Sequence, residues 1–132
     1  MPEQNLTLAE IGAALGPLFH AKRETDLELW KLEREIARCK LALIPDGGWR
    51  GKNPEARDYE RDRAYAENAT LASLYPQEIN LRARLAAVEA EIESLDAQRR
   101  AQEWAIRASL VNALYDSRVA RNHRAGAVAE SA

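Results

Sequence analysis

Two stretches of this chain place apolar residues at alternating steps of three and four. The first is Leu29, Leu32, Ile36, Cys39 and Leu43, and the second is Leu81, Leu85, Val88, Ile92 and Leu95. That spacing keeps one stripe of a helix turned toward a partner helix and is incompatible with the two-residue period of a strand. Ala, Leu, Glu and Arg dominate the rest, and aromatics are 6% of the chain, which is the composition of long helices. A length of 132 residues suits one domain. The expected fold is all-α: an antiparallel helical hairpin or coiled coil with a short N-terminal helix, assembling into a dimeric bundle.

Local signals divide the chain. Thr7 followed by Glu10 is a capping box. Leu8, Ile11 and Leu15 follow at helical spacing, so a short helix is expected over 7–16. Gly16-Pro17 interrupts it, and a first arm is expected over 17–44, with Trp30 widening its stripe. Pro45 ends that arm, and the glycines at 47, 48 and 51 predict a turn over 45–53. Asn53-Pro54-Glu55 then reads as an N-cap, a first-position proline and an acid at the positive helix end. This predicts a helix over 54–75. Pro76 marks a fresh start or a kink, followed by a long second arm over 76–116. From 117 to 132 the apolar pattern fades and a frayed tail is expected.

Function classes are limited next. The net charge of −2, from 19 basic and 21 acidic residues, opposes nucleic-acid coating through bulk charge but permits a local basic patch. The single cysteine, Cys39, allows neither an intrachain disulfide nor a thiolate zinc cluster, and at a heptad position it reads as a small buried hydrophobe. His20 and His123 stand far apart in the chain, and no metal-binding, nucleophile-elbow or phosphate-loop motif is present. No catalytic residue, metal or cofactor is therefore expected. The opening residues lack a basic segment followed by a long apolar run, so neither a leader nor a membrane span is expected, and the cytoplasm is the expected location.

Three surfaces remain as candidates. The loop carries Trp49, Arg50 and Lys52, with Arg57 on the helix that follows. An exposed Trp flanked by cations would grip a protein partner. The competing reading, a tight reversal with Trp49 folded back on the helix ends, carries more weight because turn chemistry demands these residue types. In the last helix, Arg99, Arg100 and Gln102 break the seam, which resumes with Trp104, Ile106, Leu110 and Leu114. The arm after the turn is longer than the arm before it. Leu95 to Leu114 is thus expected to stand uncovered within one chain and to bind a second copy or another protein. Arg118, Arg121 and Arg124 cluster near the end and, with Arg99, Arg100 and Arg107, make nucleic acid the alternative partner. Favourable charge at a helix C-terminus accounts for the same cluster without any ligand.

Two resemblances attach to the turn. Gly51-Lys52-Asn53-x-Glu55-x-Arg57, followed by a long Ala/Glu/Leu/Arg helix, is similar to a group of small phage and prophage coiled-coil proteins sharing a G-K-N-x-E-x-R signature. The similarity runs from about Ile44 to Leu114, and this chain departs from it in Pro54 and in its longer N-terminal part. The resemblance implies an accessory protein of a mobile element, without a defined activity. Trp49-x-Gly51 between two helices also resembles the WXG100 family of small secreted helical hairpins. Those carry an acid four residues after a tyrosine, where this chain has Val119 after Tyr115.

Overall fold

The computed structural model describes residues 6–131, with side chains described over 6–126. These residues form three helices: α1 (Leu8–Ala42), α2 (Pro54–Glu67) and α3 (Ala69–Ser131). Among the described residues there is no strand.

Thr7 begins α1 as its sequence predicts. Its hydroxyl oxygen accepts from the Glu10 amide at 3.1 Å, and its carbonyl accepts from the Ile11 amide at 2.9 Å. The expected break at Gly16-Pro17 does not occur, and α1 runs through both residues for 35 in all. Proline lacks the amide that would bond the carbonyl four residues back. Ala13, which owns that carbonyl, and Pro17 both lie on the exposed side, where water can replace the missing donor. Pro76 and Ala72 repeat the arrangement inside α3, so Pro76 neither starts nor ends a helix.

The boundary lies at Asn68 instead. Its extended backbone (φ −80°, ψ 118°) ends α2, and its side-chain Oδ1 accepts from the Leu71 amide at 2.9 Å, which starts α3. The expected helix over 54–75 is therefore divided after Glu67. The expected frayed tail is helical as far as the description reaches, to Ser131.

The chain has two compact units, residues 16–92 and residues 1–15 with 93–132. In the first, Leu32 and Ile36 of α1 and Leu71 and Leu74 of α3 form the core, with Cys39, Leu43, Tyr65, Tyr75 and Leu81 packed around it. Leu71 has no exposed surface at all. Thr25 is buried too, its hydroxyl donating to the Ala21 carbonyl at 2.8 Å, which meets the need of a buried polar group. Ion pairs join Lys22 to Glu89 (3.8 Å), Glu28 to Arg84 (3.7 Å) and Glu33 to Arg82 (2.6 Å). Numbers rise along α1 as they fall along α3, so these two segments run in opposite directions. All three pairs are exposed and set register more than they add stability.

In the second unit Ile11 and Leu15 are buried, and the Gln102 amide donates to the Leu6 carbonyl. Leu95, Gln98 and Gln102 are half-buried. This corrects the expectation for Leu95 to Leu114. The stretch from Leu95 to Gln102 is partly covered, with the Gln102 amide bonded to Leu6 just before α1, and the continuous exposure begins at Glu103.

Candidate functional site

The loop between α1 and α2 is built around its glycines and one carboxylate. The Gly48 amide donates to the Pro45 carbonyl at 2.8 Å, and Gly47, at the third position of that turn, has φ +84°. A side chain there would be strained. Glu60 of α2 reaches back, and its Oε2 accepts from the backbone amides of Arg50 (2.9 Å) and Gly51 (3.1 Å). A Cβ on Gly51 would stand 2.5 Å from the Arg57 nitrogen, so glycine is required for the close approach of loop and helix. Asn53 caps α2 through its Oδ1, which accepts from the Ala56 amide at 2.8 Å.

These contacts place the loop candidates. Trp49 is half-buried and meets Tyr65 edge-on. Lys40 lies over the Tyr65 ring at 5.3 Å and the Tyr75 ring at 5.7 Å, so the aromatic group joins loop, α1, α2 and α3. The side chains of Arg50, Lys52 and Arg57 are exposed and, among the described residues, make no ion pair. Glu60, Tyr65 and Asn68 hold positions here that no sequence motif marks, and Gln102, expected only to break the seam, bonds the Leu6 carbonyl. Asn68 carries a legible signal, an N-cap residue three before a core leucine.

The C-terminal part of α3 is different in kind. Trp104, Ile106, Leu110, Val111, Leu114 and Tyr115 are all exposed, Trp104 at 72% and Leu114 at 71% of their full surface. Ile106, Leu110 and Leu114 recur every fourth residue, while Trp104, Val111 and Leu114 follow heptad spacing. The residues form one broad apolar face along the helix. Arg107 and Arg118 fall within the same band, and Val111, Leu114, Tyr115, Arg118 and Arg121 line a shallow depression on it.

The six arginines separate into two groups. Arg99 pairs with Asp96, and Arg100 Nε lies 3.4 Å from the same carboxylate. Arg107, Arg118, Arg121 and Arg124 are exposed and make no ion pair among the described residues. No group of three or more His, Cys, Asp or Glu side chains is placed to hold a metal ion among the described residues. Nor is any described helix long and apolar enough to cross a membrane.

No family model, curated protein or solved structure matches this chain.

Proposed function

We propose that the chain is a non-enzymatic accessory protein that binds a protein partner through the apolar face of α3 between Trp104 and Tyr115. In this reading it acts as an adaptor or an inhibitor in the cytoplasm. The scaffold is an antiparallel helical hairpin whose long helices also pair it with a second copy. The observation that carries the reading is the unbroken exposure of large apolar side chains on that face. Soluble chains rarely display such a stretch unless it meets something. Arg107 and Arg118 within the band favour a partner helix that is apolar on one face and acidic beside it. The G-K-N-x-E-x-R signature adds the setting of a phage or other mobile element.

Leu110→Glu with Leu114→Glu tests it in pull-downs from lysate of the source cell. The double variant is expected to keep its helical circular dichroism and lose specific partners that the parent retains. Equal capture by both proteins would refute this use of the face.

A second reading, nucleic-acid binding, is favoured by Arg118, Arg121 and Arg124, which are exposed without ion pairs among the described residues. It requires a gel shift that weakens steeply with salt and is lost when the three become alanine. No shift at low salt removes it.

A further inference from the structure

Helix α1 has a second stripe, opposite the one that packs on α3, and Trp30, expected to widen the inner stripe, stands on this outer face instead, 52% exposed. Leu27, Trp30, Ala37 and Leu41 are all exposed, and with Arg23 and Arg34 they keep the alternating steps of three and four. Each stands two residues from a member of the inner stripe (Leu27 from Leu29, Trp30 from Leu32, Leu41 from Leu43), a rotation of about 200° around the helix. Leu27 and Trp30 are about half exposed and Leu41 is 68% exposed. The guanidinium of Arg34 lies 4.7 Å from the Trp30 ring. A helix with an apolar stripe on each of two opposite faces is patterned for two neighbours, and the described residues supply α1 with one.

We propose that this outer face of α1 is the self-association surface, and that its occupant is α1 of a second copy lying antiparallel. The inference rests on the dimer in the proposed function and gives it a surface distinct from the partner-binding end of α3. Charge and ring placement favour the antiparallel second copy. Along one flank of the stripe, Glu24, Lys31 and Arg38 recur every seventh residue, acidic toward the N-terminus and basic beyond. Reversing one copy against the other brings Glu24, whose intrachain contact is the exposed His20 at 3.0 Å, beside Arg38 of the second copy, and the two-fold symmetry makes the pair twice. In the same register Trp30 faces Arg34 of the second copy, and Leu27 faces Ala37. Cation and ring attract, and both residue types are favoured interface anchors. Lys31 meets its own copy on the axis, where a long side chain can turn its charge to water. Parallel copies would instead stack Arg34 on Arg34 in the middle of the seam and Arg23 on Arg23 at its start. On the other flank the antiparallel register brings Asp26 beside Lys40 of the second copy and Glu33 beside its own copy, where Arg82 at 2.6 Å offsets its charge.

Sedimentation equilibrium of the full chain over a concentration series tests this at low salt. The parent is expected to dimerise. Trp30→Glu and Leu41→Glu are expected to give folded monomers by circular dichroism, because both side chains are exposed in the single chain. Glu24→Arg and Arg38→Glu should each weaken the dimer several-fold, and the double exchange should restore it. A parent that stays monomeric overturns both the dimer and its surface. A dimer that survives Trp30→Glu and Leu41→Glu but not Leu110→Glu overturns the α1 surface alone. Single reversals that weaken association without rescue by the double exchange overturn the antiparallel register. The pull-down with the Leu110 and Leu114 variant reports on partner capture separately.

Discussion

Trp49 stands edge-on to Tyr65, with ring centroids 6.2 Å apart and planes at 80°. The positive rim of one ring meets the face of the other, an arrangement contributing about 1 kcal/mol beyond the apolar area it buries. Trp49→Ala is therefore expected to lower the midpoint of urea unfolding and to leave partner capture by α3 intact. Loss of capture in a variant that unfolds like the parent would return Trp49 to the binding surface.

Gly51→Ala probes the joint between loop and α2. The new methyl meets backbone at 2.5 Å, and a main-chain atom cannot swing aside as a side-chain tip can. Overpacking of this kind costs about 1–3 kcal/mol. Glu60→Ala should cost less, about 0.5–1.5 kcal/mol, since water can reach the exposed Arg50 amide and the part-buried Gly51 amide when the carboxylate is gone. The two changes act on one contact, so the double variant is expected to lose less than the sum of the singles in chemical denaturation.

The two ends of α3 should respond oppositely to the same substitution. Leu71 is fully buried, and Leu71→Ala is expected to cost about 2–5 kcal/mol by transfer and cavity together. Leu114 is exposed, and Leu114→Ala should change stability by less than about 0.5 kcal/mol. Urea titrations of the two variants at a concentration where the parent is monomeric make the comparison. A large loss for Leu114→Ala would mean that the face is covered in solution.

Pro17→Ala returns an amide donor for the Ala13 carbonyl and removes the ring from the interior of α1. Interior proline costs about 3 kcal/mol relative to alanine in a helix, and the stiffness it gives the unfolded chain recovers under about 1 kcal/mol. A gain in thermal midpoint is expected. A lower midpoint would show that Pro17 packs favourably enough to outweigh its missing bond.

The seams, the turn and the Asn53 cap were legible because each follows from spacing or from backbone chemistry within a few residues. The prolines were not, because their effect depends on which side of the helix they occupy. Pro17 and Pro76 are exposed together with the residues whose carbonyls they leave unpaired, a fact fixed by tertiary packing. Gln102 read as a flaw in the apolar seam. Its amide instead serves the Leu6 carbonyl from the far end of the chain, a pairing that no local pattern announces. At the candidate site the spacing of Trp104, Ile106, Leu110 and Leu114 points to one helix, and α3 contains all four. Where their exposure begins, after Gln102 and not at Leu95, depended on the reach of α1.

The crowding at Gly51 also bears on ancestry. Two letters of the G-K-N-x-E-x-R signature are dictated by how a chain enters a helix: the glycine by lack of room, the asparagine by an amide awaiting an acceptor. Unrelated lineages facing the same joint would converge on those letters. Common descent is better judged at Lys52 and Arg57, whose side chains point outward and which the joint leaves free to vary.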